Sequence, residues 1–290
     1  MNDQHFFRKI LVPVDGSHSC FHAKTLASLI ASRFKSKITV VHVASHEFMH
    51  PELKAQYRLP PSLLRRIDEV YLETGKKIIR NAEELFRDSG IEVDARLVTY
   101  EDPAEFVLKL VKNEGYDLVV IGNRAEHQSE RYSLGSVTEK ITRHAECTVF
   151  IVKKKILFEK ILVAVDGSKH ADRALEYAVQ LAKKFRVNLA LLHVEDDNLV
   201  RIGGPQVLDC IGTVGESILE HTATKIHGVS FRKFLKYGNP AETIIKMAQK
   251  GNVDLIVLGS RGISSVKRFL LGSVSDDISM HARSSVLIVR

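Results

Sequence analysis

Short runs of apolar residues rich in valine and isoleucine alternate along this chain with longer stretches in which apolar side chains recur every three or four positions. The first run, Ile10 to Val14, stops at Asp15-Gly16-Ser17, as a buried parallel strand does on meeting a turn. Leu26, Leu29, Ile30 and Phe34 then fall at helical spacing and predict a helix over Phe21 to Phe34. Ile38 to Val43 reads as the next strand. Lys76 to Arg87, closed by Gly90, reads as a second helix, and Glu92 to Val98 as a third strand. Asp102-Pro103-Ala104-Glu105 sets an N-cap before a proline at the first helical position, with the glutamate of a capping box three residues after the cap. Leu118 to Ile121 and Thr148 to Val152 complete five strands.

The whole pattern occurs twice. Residues 9 to 43 align without a gap with residues 160 to 194 at an offset of 151, so that Lys9-Ile-Leu-Val-Pro-Val-Asp-Gly-Ser17 returns as Lys160-Ile-Leu-Val-Ala-Val-Asp-Gly-Ser168. Later the offset is 137: Tyr100, Pro103, Ala104 and Glu105 pair with Tyr237, Pro240, Ala241 and Glu242, and Gly122, Gly135 and Ser136 with Gly259, Gly272 and Ser273. The first copy therefore carries 14 extra residues between Val43 and Tyr100. Asn239-Pro240-Ala241-Glu242 repeats the helix start, and Leu255 to Leu258 and Val286 to Val289 repeat the last strands.

Strands alternating with helices in this way imply an α/β fold: two tandem domains, residues 1–154 and 155–290, each a doubly wound, five-stranded parallel sheet. With strand order 3-2-1-4-5, the order reverses between strands one and four, and ligands sit beyond the carboxyl ends of the strands at such a point. Asp15 would then face Gly122, and Asp166 would face Gly259. The apolar last strands, Thr148 to Val152 and Val286 to Val289, fall at sheet edges that invite pairing.

Composition narrows the class. Hydrophobic residues make up 44% and charged residues 27%, as in ordinary globular domains. Apolar runs fall far short of the roughly 20 residues of a membrane helix, and Met1 to Lys9 has no apolar stretch resembling a signal peptide, so the cytoplasm is the expected location. Cys20, Cys147 and Cys210 are scattered, which fits reduced thiols. The net charge of +7 is spread along the chain, and its densest cluster, Lys153-Lys154-Lys155, reads as a solvated linker. Small phosphate ligands are therefore expected in preference to nucleic acid.

The chemistry concentrates after strand four of the second copy, where Gly259-Ser260-Arg261-Gly262 is followed by nine residues and then Gly272-Ser273-Val274 at a predicted helix start. Glycines permit positive φ and close approach to a ligand, while the open N–H groups of a helix start favour anions. The Ser273 hydroxyl can donate to a phosphate oxygen, and Arg261 supplies charge nearby.

In these residues the sequence resembles the universal stress protein family in its tandem form, over nearly its whole length. The family's ATP-binding pattern is glycine, two residues, glycine, nine residues, then glycine followed by serine or threonine, and the second copy matches each fixed position. The resemblance implies Rossmann-like domains of the adenine nucleotide alpha hydrolase type that bind ATP, with Mg²⁺, or ADP or AMP. It implies that Asp166 bonds the ribose, that Ala164 and Val194 line the adenine pocket, and that Gly259, Arg261, Gly262, Gly272, Ser273 and Val274 hold ribose and phosphates. It also implies a role in stress resistance, exerted through an unidentified protein partner, and association of the last strands into an internal pseudo-dimer, with scope for a homodimer of chains.

The first copy keeps Pro13, Asp15, Val43, Gly122, Arg124, Gly135, Ser136 and Val137, but has Ala125 where the pattern has its second glycine. If that position needs positive φ or touches a phosphate, the methyl group costs roughly 1 kcal/mol or more. The first site is then weaker or empty.

No Walker lysine followed by Ser or Thr is present, and no base poised to activate water is evident, so no catalytic residue is assigned. A slow ATPase, or an autophosphorylating enzyme using Ser136, Ser273 or Ser275, remains the alternative to a nucleotide-dependent regulator; a scaffold that binds no nucleotide is the third. His46-Glu47-Phe48-Met49-His50 matches the letters of a zinc-protease motif, with Glu69 downstream. Pro51 disfavours the helix that motif needs, so no metal site is assigned. His42 and His193 read as packed, hydrogen-bonded core residues, Ser17 and Ser168 as helix caps, and Ser45 to Leu64, with its prolines, as a loop particular to the first copy.

Overall fold

A computed structural model of the chain describes residues 6–44, 60–99, 101–123, 134–153, 157–196, 205–262 and 271–290. No described helix is long and apolar enough to cross a membrane. The chain forms two compact units, residues 2–122 and 123–290.

The first unit contains β1 (Lys9–Pro13), α1 (His18–Phe34), β2 (Lys37–Ala44), α2 (Pro61–Asp88), β3 (Val93–Thr99), α3 (Pro103–Glu114) and β4 (Leu118–Gly122). Its strands run parallel in the order β3-β2-β1-β4. Ile10, Leu11, Val12, Leu118, Val119 and Val120 are fully buried, as expected where helices cover both faces. Helix α2 is longer than the apolar spacing suggests. Pro60 and Pro61 belong to its start and not to a loop, because a proline in the first turn has no N–H to lose and a φ already suited to a helix. Pro61 to Leu64 thus form its first turn, whereas residues 45–59, including the His46 to His50 motif, lie outside the described residues.

The second unit begins with α4 (Ser136–His144) and β5 (Thr148–Val152), the end of the first copy. It continues with β6 (Lys160–Ala164), α5 (Lys169–Phe185), β7 (Asn188–Glu195), α6 (Pro205–Ala223), β8 (Phe231–Tyr237), α7 (Pro240–Lys250), β9 (Leu255–Gly259), α8 (Ser273–His281) and β10 (Ser285–Val289). The second copy's strands lie in the order β8-β7-β6-β9-β10, all parallel, which is the expected 3-2-1-4-5.

Both ends of the repeat meet inside this unit. β5 pairs antiparallel with β10, matching Ile151 to Val286, Phe150 to Leu287 and Val149 to Ile288, and every residue of both strands is buried. The Lys153 amine donates to the carbonyl of Ser279 at 2.9 Å, and the Arg290 guanidinium donates to the carbonyl of Thr142 at 2.5 Å. These are corresponding positions in the two copies, so the last residue of each caps the carboxyl end of the other copy's last helix, where open carbonyls favour a cation. Such reciprocity is the mark of an isologous contact. Arg143 of α4 adds two bonds to the Asp276 carboxylate, at 3.0 and 2.9 Å. Lys153 is accordingly not a solvated linker residue: burial pushes its amine down to about 8. Lys154 and Lys155 lie outside the described residues.

Candidate functional site

The second copy's site is built where β6 and β9 end side by side. β6 runs out through Val165, whose N–H donates to the carbonyl of Leu192 at 2.9 Å, and the chain then turns at Asp166-Gly167-Ser168. Gly167 has φ +81°, the left-handed region that favours glycine. The Asp166 carboxylate accepts the Ser168 N–H at 3.0 Å, and the Ser168 hydroxyl accepts the Ala171 N–H at 3.2 Å, capping α5. The first copy repeats the device: Gly16 has φ +79°, Asp15 accepts from Ser17 at 2.9 Å, and Ser17 caps α1 through Cys20 at 3.4 Å. His193 Nδ1 lies 2.7 Å from the Val165 carbonyl and His42 Nδ1 2.7 Å from the Val14 carbonyl, so each histidine braces the strand end beside it, as expected of a packed core residue.

Beyond β9 the Ser260 N–H donates to the Val289 carbonyl at 2.7 Å, and the Gly272 N–H donates to the Ser260 carbonyl at 2.8 Å. The loop therefore leaves and returns at one point; residues 263–270 lie outside the described residues. The Ser275 hydroxyl donates to the Gly259 carbonyl at 2.7 Å and pins the start of α8 against the end of β9. The N-cap of α8 is Gly272, with no side chain to accept the first-turn N–H groups, so the end of the helix dipole is presented to the crevice.

Of the two purposes expected of this loop's glycines, positive φ and close approach to a ligand, the first is not used. Gly259, Gly262 and Gly272 do not adopt positive φ. Contact explains two of them instead. A Cβ on Gly259 would stand 2.7 to 2.8 Å from the backbone of His170, in the first turn of α5, and a Cβ on Gly262 would stand 2.6 Å from Asp166 Oδ2. Gly259 lets β9 and α5 close on each other, and Gly262 leaves room for a carboxylate.

Ala164, Asp166, Val194, Gly259, Arg261, Gly262, Gly272, Ser273 and Val274 all line one cavity of about 660 Å³. Its lining combines the apolar side chains of Ala164, Leu192, Val194 and Ile244 with the polar groups of Arg261, Ser273 and the turn at Asp166. Asp196 and Asp277 also line it, and the sequence reading assigned neither to a site. Asp196 follows β7 and Asp277 sits one turn into α8; only the fold brings them near Asp166. His170, in the first turn of α5, packs behind Gly259 and is not part of the cavity lining. Burial, together with the Arg261 guanidinium, pushes its imidazole below the ordinary range, against the opposing influence of Asp166. Among the described residues no group of three or more His, Cys, Asp or Glu is arranged to hold a metal.

Of the first copy's candidates, Pro13 ends β1, Asp15 stands in the turn after it, Val43 lies in β2 and Gly122 ends β4, all in the first unit. A Cβ on Gly122 would come within 2.5 Å of the Ser19 carbonyl oxygen, the counterpart of the Gly259 contact. Gly135, Ser136 and Val137 form the N-cap and first turn of α4, in the second unit. Arg124 and Ala125 lie outside the described residues.

The model of the universal stress protein family matches the chain twice, over residues 6–153 and 157–290. Universal stress protein YxiE of Bacillus subtilis (strain 168) is 36% identical over 148 residues, covering 46% of this chain and 100% of that protein. A putative universal stress protein of Staphylococcus haemolyticus (strain JCSC1435) is 32% identical over 142 residues, 47% of this chain and 86% of its own length. Among solved structures, a universal stress protein from Archaeoglobus fulgidus DSM 4304 superposes with a TM-score of 0.71 at 24% identity, covering 98% of each chain.

Proposed function

We propose that this chain, which belongs to the universal stress protein family, binds an adenine nucleotide in the cavity of its second copy and acts in the cytoplasm as a stress-response regulator, through nucleotide-dependent contacts with a protein partner. The adenine lies between Ala164 and Val194, the ribose bonds Asp166, and the phosphates rest on Arg261, Gly262 and the start of α8 at Gly272, Ser273 and Val274. What carries the reading is the convergence of nine residues, from four separate stretches of sequence, on one cavity. Its volume falls within the roughly 300–1,000 Å³ usual for small-molecule sites.

The lining of the cavity offers groups suited to both parts of a nucleotide. Apolar side chains take a base; a guanidinium, a hydroxyl and a helix start take an anion. Mg²⁺ bound with ATP needs only one or two protein carboxylates when phosphate oxygens complete its shell, and Asp166, Asp196 and Asp277 are the carboxylates on this wall. The ion would offset phosphate charge beside them. In the first copy, which has Ala125 where the second has Gly262, binding is weaker or absent. Ligand binding shifts a regulator only insofar as two conformations differ in affinity for it.

Identifying the small molecule released on denaturing the freshly purified protein, together with calorimetric titration of ATP, ADP and AMP, tests the reading. One adenine nucleotide per chain, lost in Asp166→Ala and Arg261→Ala, is the expected result. No released nucleotide and no heat at millimolar ATP would establish the scaffold alternative. Rapid single-turnover product formation abolished by Asp166→Ala would establish the enzyme.

A further inference from the structure

A second, larger hollow of about 1430 Å³ opens on the sheet of the second copy, between α7 and the edge strand β8. Along β8, Arg232, Phe234 and Lys236 alternate towards it. The intervening Lys233 and Leu235 face α6, where Lys233 pairs with Glu220 and Leu235 meets Gly215. Its apolar lining includes Ala190, Phe234, Met247 and Val253, and its cations include Lys246 and Lys250, one helical turn apart on α7, Arg232 and Lys236, four residues apart on β8, and Lys160. Glu242 is among the acidic groups of the rim and pairs with Lys246 at 2.8 Å.

The first copy supplies the control. By strand register Arg96 corresponds to Phe234, and Asp94 and Val98 correspond to Arg232 and Lys236. Glu114 and Tyr116 correspond to Gly251 and Val253. There the same place is filled: Arg96 makes two bonds to Glu114, at 2.5 and 3.1 Å, and one to Asp94 at 2.8 Å. Tyr116 donates to Glu114 at 3.3 Å and lies under the Lys9 amine, 4.3 Å from its ring centroid. The second copy lacks the Arg96–Glu114 ion pair, the Tyr116 ring and the Asp94 carboxylate, keeps Glu159 and Glu242 in the lining, and has cations at the β8 positions corresponding to Asp94 and Val98.

We infer that this trough is a docking site for an amphipathic helix of a partner protein, with apolar residues on one face and acidic residues along both flanks of that face. A parallel sheet is stable when helices cover its faces, and a further helix beside α7 completes the layer over β7 and β8. Cations contributed by two elements, α7 and β8, to a lining that also carries apolar side chains match a ligand with two rows of anions, as a helix presents at flanking positions. A lipid with a single charged head would engage one cation and leave the opposite row unmatched. The inference deepens the protein-partner part of the function proposed above and does not require that nucleotide bind.

The test is fluorescence anisotropy of a labelled 18-residue peptide with leucine at helical a, d and e positions and glutamate flanking them, alongside a lysine-flanked peptide and dodecanoate. The full chain is compared with Lys246→Glu/Lys250→Glu and with Phe234→Arg/Gly251→Glu/Val253→Tyr, which rebuilds the first copy's filling. Thermal unfolding of each variant confirms the fold, and the charge-reversed variant, altered only on the rim, stands should the triple variant fail to fold. Binding of the acidic peptide with a gain of helical circular dichroism, weakened at least tenfold by the variants that fold, is the expected result. Equal binding of the lysine-flanked peptide, unchanged binding by the variants, or binding of dodecanoate alone would overturn it. ATP titration of the same variants separates this outcome from the nucleotide reading, which predicts no change there.

Discussion

Gly262→Ala converts the second loop to the first copy's sequence at one position, and its effect can be worked from the contacts. The added Cβ would stand 2.6 Å from Asp166 Oδ2, and the other atom it meets is Cγ of the same side chain, at 3.8 Å. Ordinary contact begins near 3.4 Å, so the carboxylate must retreat by about 0.8 Å. The backbone does not resist, because φ at Gly262 is not positive. The carboxylate can yield, since it is the tip of a side chain, but its other oxygen holds the Ser168 N–H at 3.0 Å, so a retreat by rotation weakens that bond. The expected cost to the fold is under about 1 kcal/mol, the worth of one partly exposed hydrogen bond. The cost to binding is larger. If Asp166 accepts from the ribose, losing a hydrogen bond to a charged group removes about 1.5–3 kcal/mol, or roughly 10- to 100-fold in Kd. Calorimetric titration with ATP, beside urea unfolding of the same preparations, separates the two quantities. A Kd within twofold of the parent would refute the assignment of Asp166, and a large loss of stability would refute the claim that only a side chain is displaced.

Gly259→Ala is expected to behave oppositely: its Cβ meets the backbone of α5, which cannot step aside, and the urea midpoint should fall by the equivalent of about 3 kcal/mol. Gly167→Ala meets nothing closer than 3.6 Å, so only the strain of φ +81° remains, and unfolding should register about 1 kcal/mol. Burial holds the Lys153 amine at about 8, below its ordinary 10.5, so between those values the unfolded chain binds more protons than the folded one. Stability should therefore rise with pH across that window, by at most about 1.4 kcal/mol per unit, and this component of the slope should vanish in Lys153→Met. Arg143→Ala removes the bidentate pair with Asp276, whose side chains are 39% and 30% exposed; screening limits the loss to about 1 kcal/mol, which a thermal melt at low and high salt should resolve.

The strand order and the cavity were legible in the sequence because both rest on patterns with one physical meaning. A short apolar run ending in Asp-Gly-Ser is a buried strand meeting a turn, and the left-handed Gly16 and Gly167 bear that out. Helix α2 was read short because Pro60 and Pro61 signal a loop and the first turn of a helix equally well, and only packing decides between them. The loop glycines were found for an incomplete reason: sequence shows that a side chain is absent, not whether the absence serves torsion or contact. Asp196 and Asp277 carried no local signal, since their place in the cavity lining depends on how distant elements converge. The Lys153 amine looked solvated because three consecutive lysines usually are, and nothing along the chain shows that a helix end faces it.

Where the two copies coincide and where they differ divides their residues by task. The Asp-Gly-Ser turns, the caps on α1 and α5, the histidine braces and the reciprocal contacts of Lys153 and Arg290 reproduce one geometry twice, with lysine and arginine serving the same carbonyl position. These contacts hold strands and helix ends in place in both copies. The differences fall elsewhere: Ala125 in the sequence where the second copy has Gly262, 14 more residues between Val43 and Tyr100, and a hollow beside α7 where the first copy has an interlocked ion pair. Filling that hollow with Arg96, Glu114 and Tyr116 is compatible with the fold, as the first copy demonstrates, so leaving it open in the second copy is not forced by packing. An exposed apolar trough with a cationic rim forgoes burial that the first copy achieves, and a partner that covers it would recover what the isolated chain leaves exposed.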